Sequence, residues 1–176
     1  MQKRIEPMYS DEIRAAFHLA LGRIVHAHAE FDFNIGMQLT VLGLDTGHNV
    51  AELLVGKAPF SNRLYKAEEL VFIQYASAPE DAKQQLKQWF IKAHEVKAMR
   101  NDYTHARWQI PNLSDSDDPL FRMLPLNWNF DPNQEDKSVP IRLSELDADA
   151  AEIELLTGGL GKWMRDYAAY AAPHAT

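Results

Sequence analysis

Apolar residues at Ile13, Phe17, Leu21, Ile24, Phe31, Ile35, Leu39 and Leu42 recur mostly in steps of three and four. That spacing marks one face of an α-helix and predicts a first helix from about Asp11 to Leu44. Ser10 or Asp11 can cap its start, and acidic residues suit its first turn. A second apolar set, Phe33, Met37, Val41 and Leu44, lies nearly opposite in the later half only. A helix apolar on two sides is buried on two sides. The expectation is a cover from another helix layer or from a second subunit, with a lean towards a homodimer.

After a short helical piece around Val50–Leu54, Gly56 and Pro59 mark a break. Ser61 then stands where it can cap a helix to about Ala76, with Leu64, Ala67, Leu70, Val71 and Tyr75 inward. Pro79 suits the first helical position of the next helix, Glu80 to about Tyr103. Its stripe is Ala82, Leu86, Trp89, Phe90, Ala93, Val96 and Tyr103.

From Arg107 to Leu143 the period changes. Arg107–Ile110, Leu120–Phe130 and Ser138–Leu143 alternate like short strands, separated by Pro111–Pro119 and by the turn-rich Asp131–Lys137. A small antiparallel β-insert is expected over about 107–143. Ser144 then caps a last helix, with Leu155 or Leu156, Leu160, Trp163, Met164, Tyr167 and Ala171 inward and Gly158, Gly159 and Gly161 bending or interrupting it. The fold class expected is mainly α, a bundle of four to five helices with the β-insert between the last two long ones, as one domain over 1–176.

The chain has 176 residues, 46% apolar and 24% charged, an ordinary globular balance. It holds no cysteine. That excludes disulfides, thiolate metal sites and cysteine nucleophiles, and fits a reducing, cytoplasmic compartment. Met1 to Ser10 carries charge and Pro7 and does not read as a signal peptide. No apolar run approaches the roughly 18 residues of a membrane span. The formal net charge of −7 leaves little to counterion release, so any nucleic-acid role must rest on a local basic cleft.

Candidate chemistry centres on Arg100-Asn101-Asp102-Tyr103-Thr104-His105. At about 100° per residue Arg100 falls near the centre of its helix's apolar stripe. A guanidinium keeps its proton, so burying it demands a carboxylate, a phosphate or a wet pocket. One account is a structural ion pair with Glu30, Asp32 or another acidic residue, with the helix dipole also favouring arginine at a C-terminus. The other is phosphodiester chemistry. Histidine can move a proton to or from a ribose 2′-hydroxyl, and arginine can hold charge growing on phosphoryl oxygens. Asn101 and His105, four apart, share a face if the helix continues. Arg100 and His105 are roughly 140° apart on a regular helix and converge only if it distorts near Tyr103, or if a second subunit supplies one of them.

Arg100-Asn101-x-x-x-His105 resembles the R-x4–6-H motif of the HEPN superfamily. The long first helix, the second helix pair and the motif's place near the end of a later helix look like that superfamily as well. Phe60-Ser61-Asn62-Arg63-Leu64 together with Arg100 to Trp108 is similar to a group of bacterial proteins with an "RN…H" signature. The resemblance covers residues 11–110 and the final helix; the β-insert is not part of the common core. It implies a metal-independent endoribonuclease acting on RNA by 2′-hydroxyl attack, typically a homodimer, in toxin–antitoxin or defence systems, with an antitoxin or other protein partner. Carried over, Arg100 would stabilise the transition state, His105 would be general acid or base, and Asn101 would orient phosphate or histidine. Many HEPN proteins are not nucleases, so a non-catalytic module binding a protein partner or nucleotide is the alternative.

Glu30, Asp102, Arg107 and Trp108 are supporting candidates: the arginine and indole can grip or stack RNA, or else anchor a strand onto the bundle. His26, His28 and Glu30 do not point to one place, so no metal site is expected. Gly158, Gly159 and Gly161 lack nucleotide-loop spacing, and no cofactor is expected.

Overall fold

A computed structural model describes residues 8–46, 58–114, 116–124 and 138–172. The expected helical piece at Val50–Leu54, the strand residues 125–130 with Trp128, the turn Asp131–Lys137 and the side chain of Leu44 lie outside them. The chain is mainly helical. In order it forms β1 (Met8–Tyr9), α1 (Ser10–Thr46), α2 (Phe60–Gln74), α3 (Glu80–His105), β2 (Arg107–Gln109), β3 (Leu113–Ser114), β4 (Leu120–Leu124), β5 (Val139–Arg142), α4 (Leu143–Leu156), α5 (Gly159–Asp166) and a 3-10 turn (Ala168–Tyr170). Among the described residues no helix is long and apolar enough to cross a membrane.

The chain divides into two compact units, one of Met1–His26 with Ala98–Glu152 and one of Ala27–Lys97 with Ile153–Thr176. In the first, β4 is the centre of a three-stranded antiparallel sheet ordered β2-β4-β5. Alternation along β4 turns Phe121 and Met123 inward and leaves Leu120 and Arg122 exposed. Phe17 of α1 packs its ring 4.9 Å from Phe121 and 5.1 Å from Trp108, which seats the sheet on the helix. The β-insert therefore forms as the alternation requires. A second, two-stranded ladder of β1 with β3 was not anticipated, because two-residue strands are too short to show a period.

In the second unit Phe31 of α1 meets Phe60 of α2 and Trp89 of α3 edge-on. Tyr75 at the end of α2 packs against Trp163 of α5 and donates to the Met164 carbonyl at 3.3 Å. The Trp163 indole donates to the Ala82 carbonyl at 3.1 Å. These helices thus interlock through aromatic anchors whose polar ends find acceptors.

Several local expectations change. Ser61 is not a cap: α2 begins at Phe60 after Pro59 and has no side-chain cap bond. Nor does Ser144 start the penultimate helix. The Asp118 carboxylate instead accepts from its amide and its hydroxyl, both at 2.8 Å, and Glu145 accepts from the Arg142 amide. The terminal helical stretch is interrupted at the glycines as expected: it is two helices that part at Gly158, whose φ of 81° needs glycine. Phe33, Met37 and Val41, expected to be covered, are 68%, 50% and 46% exposed; no helix layer of this chain covers them among the described residues.

A Cβ at Gly159 would collide with the Trp89 indole, which is flanked by Phe31 and Phe90 and has little room to give. Helix propensity favours alanine there by ~1 kcal/mol. Overpacking at ~1–3 kcal/mol outweighs it. Gly159→Ala should lower the urea midpoint of unfolding; a raised midpoint would show that the indole swings aside freely.

Candidate functional site

The motif occupies the last turn and a half of α3. The helix stays regular through it: the Ala106 amide donates to the Asp102 carbonyl at 2.9 Å, and the Thr104 hydroxyl donates to the Arg100 carbonyl at 2.9 Å. The distortion near Tyr103 that would swing Arg100 towards His105 does not occur. On one copy of the helix the two Cα–Cβ directions remain roughly 140° apart. Asn101 and His105 do share an exposed face, one turn apart, as their spacing implies.

What spans the gap is Asn101. Its Oδ1 accepts from Nη1 of Arg100 at 3.1 Å, so the guanidinium leans around the helix towards the side that carries His105. Arg100 itself is half-buried, and its Nε is enclosed with no hydrogen-bond partner. Among the described residues no carboxylate lies within ion-pair distance of it. Asp32, one of the carboxylates considered for it, is paired with Arg63 at 2.5 Å. Glu30 is exposed on α1, with its carbonyl accepting from the Asn34 amide group. The Arg100 cation keeps donors that an anion or water can satisfy.

The opposite side of the same turn is acidic. Tyr103 is buried and donates to Oδ2 of Asp149 at 2.5 Å. Burial first, and then that hydrogen bond to a carboxylate, raise the phenol well above its ordinary range. Burial also holds the Asp149 carboxyl above the usual carboxylate range, helped by Glu152 and Glu145 and opposed by the Tyr103 hydrogen bond. Asp102, Glu145 and Asp149 line an open cavity of about 490 Å³ floored by Met123 and Ile141. Three carboxylates repel a phosphodiester, so this hollow and the Arg100 side of the helix have opposite ligand chemistry. Asp102 belongs to the acidic side and does not join Arg100. Asp149 escaped the sequence reading; its place three residues after the buried Leu146 was the available signal, but nothing in the sequence linked it to Tyr103.

Trp108 faces the interior. Its ring lies against Phe17 and Tyr103, and its Nε1 donates to the Tyr103 carbonyl at 3.0 Å. These contacts anchor β2 while Trp108 stays half-buried, and its neighbour Arg107 is exposed. His28 is buried, with its ring 4.8 Å from Phe60, and His26 is exposed. Among the described residues no three His, Asp or Glu side chains gather to hold a metal ion. Comparison with family models, with curated proteins and with solved structures finds no match to this chain.

Two outcomes follow for the Tyr103–Asp149 pair. Tyr103→Phe removes a hydrogen bond to a charged group and should destabilise the fold by ~1.5–3 kcal/mol in urea unfolding. The pH dependence has a definite sign. A carboxyl whose folded value is raised binds more protons in the native state, so its contribution is full at low pH and lost as pH rises through the folded value. Asp149→Asn keeps an acceptor for Tyr103 and removes the titration. The variant should melt with wild type near pH ~3 and above it at neutral pH. A variant less stable than wild type at neutral pH would mean that the charged pair is favourable.

Proposed function

We propose that this chain is a HEPN-like, metal-independent endoribonuclease working as a homodimer, with Arg100 and His105 as catalytic residues and Asn101 orienting them. The observation that carries this reading is Arg100: a half-buried guanidinium with no carboxylate beside it among the described residues, its Nε unsatisfied and its Nη1 held by Asn101 one turn from His105. Such a group is an anion receptor, and an imidazole nearby on the sequence can do the proton transfer that RNA cleavage needs.

In the reaction, His105 as base takes the 2′-hydroxyl proton and the 2′-oxygen attacks the adjacent phosphorus. The bond to the 5′-oxygen breaks, that oxygen takes up a proton from the acid form of histidine, and the products are a 2′,3′-cyclic phosphate and a 5′-hydroxyl. Arg100 stabilises the charge that builds on the non-bridging oxygens. Arginine and histidine together cover both charge and proton movement, which is why the reading calls for no metal. Because the two side chains diverge on one regular helix, His105 of a second copy would complete the site. The exposed row Phe33, Met37 and Val41 is an apolar face suited to a second copy. A toxin or defence effector held by a protein antitoxin would fit such an enzyme.

A second reading is a non-catalytic HEPN-like module that binds a protein partner or nucleotide; the acidic cavity favours its protein-binding form, since carboxylates beside the motif repel RNA and nucleotide phosphates alike. Cleavage separates the two. The nuclease should cut single-stranded RNA in EDTA and leave cyclic phosphate ends. His105→Ala should reduce the rate by ~10²–10⁴ with the circular dichroism spectrum unchanged. Arg100→Ala should reduce it by ~10²–10³, with partial retention in Arg100→Lys. Absence of cleavage by a folded, dimeric preparation favours the binding module.

A further inference from the structure

The cavity beside Tyr103 has an apolar floor, three carboxylates and no hydrogen-bond donor left over from its own walls. Its acids come from two helices: Asp102 from α3, and Glu145 and Asp149 one turn apart on α4. Like charges four apart on a helix repel each other. No Lys, Arg or His lines the cavity among the described residues. The neighbouring charges that raise Tyr103 and Asp149 are likewise carboxylates. The Tyr103 hydroxyl, which could have served a ligand as donor, is given to Asp149.

The edge of the sheet supplies no donor either. Pro140 stands opposite Arg122 and has no N–H, so that pair is the one without mutual hydrogen bonds. Pairs alternate along an antiparallel ladder, which makes Phe121 with Ile141 and Met123 with Val139 the bonded ones. The Pro140 carbonyl and the Arg142 amide therefore point away from β4, on the free side of the edge strand β5. Glu145 takes the Arg142 amide, and the Pro140 carbonyl remains an acceptor. An added peptide strand would need N–H groups that this edge does not offer.

A lining of acceptors calls for a ligand of donors with positive charge. A bare metal ion does not suit it, because no three acidic or histidine side chains gather as a metal site among the described residues. The volume of about 490 Å³ lies within the roughly 300–1,000 Å³ of small-molecule pockets. Met99, Met123, Val139 and Ile141 offer apolar surface to a hydrocarbon stem. The acceptors stand on separate elements around the space, which suits the three rotatable donors of an ammonium better than the planar fork of a guanidinium.

We propose that this cavity binds a primary ammonium group on an aliphatic stem, with Asp102, Glu145 and Asp149 as acceptors and the methionines and Ile141 against the stem. The inference goes beyond the ribonuclease reading and does not rest on it. The same chemistry is carried by a lysine side chain of a protein partner and by a free aliphatic diamine.

The full chain, labelled with nitrogen-15, is titrated by NMR at about 0.15 M salt, where charges more than ~8 Å apart are screened. The probes are cadaverine, n-pentanol, agmatine, and a short peptide with one lysine among alanines. Cadaverine or the lysine peptide should shift the amides of Asp102, Glu145 and Asp149, and n-pentanol should not. Asp149→Asn and Glu145→Gln keep acceptors for Tyr103 and Arg142, so the fold should persist, and each should weaken amine binding by ~10-fold. Asp81→Asn removes the same charge from an exposed position at the start of α3 and should leave binding unchanged. Tighter binding of the peptide than of cadaverine assigns the site to a protein lysine, and the reverse order to a free diamine. Absence of binding by both amines overturns the proposal, as does equal binding of n-pentanol. Unchanged affinity in the two cavity variants overturns it too, and so does agmatine binding ~10-fold tighter than cadaverine, which would make the site a guanidinium receptor.

Discussion

The constraint behind this structure is one apolar row on a 37-residue helix, buried from Ile13 to Leu42. Ile13, Phe17 and Ile24 serve the first compact unit, and Phe31, Ile35, Leu39 and Leu42 the second. Removing so large an apolar surface from water dominates the favourable side of folding. The aromatic contacts of Phe17 with Phe121 and of Phe31 with Phe60 and Trp89 are where that row is converted into tertiary order.

Within the first unit the same packing determines which polar groups remain available. Trp108 is drawn inward by Phe17 and by the Tyr103 carbonyl, and Tyr103 is drawn inward with Asp149. These two aromatic residues flank His105 in sequence, and both are held by contacts within the unit. The end of α3 thereby separates into two sides of contrasting charge. Arg100 and Asn101 form one, and Asp102 with the acidic cavity forms the other. A regular helix enforces this division, because residues one or two apart point in widely different directions.

Much of this was legible in the chain. The long first helix, the stripe of α3, the inward residues of α2 and the alternation of the insert all follow from period alone, because burial of one face leaves a regular trace. Asn101 and His105 share a face for the same reason. Capping was read wrongly at Ser61 and Ser144, since a cap depends on which backbone groups are left open. At Ser144 the acceptor came from Asp118, distant in sequence.

The sequence alone determined that the chain is mainly helical, that a guanidinium sits on an apolar stripe beside an asparagine, and that a small β-insert of a hairpin or three strands interrupts the helices. Only tertiary structure decided that Arg100 has no carboxylate partner among the described residues, that Tyr103 is spoken for by Asp149, and that Asp102, Glu145 and Asp149 line one cavity. The physical reason is that helical and strand periods are local, set by a few neighbouring residues. Partnership between side chains depends on strand register and on packing between elements far apart along the chain, which no local pattern records.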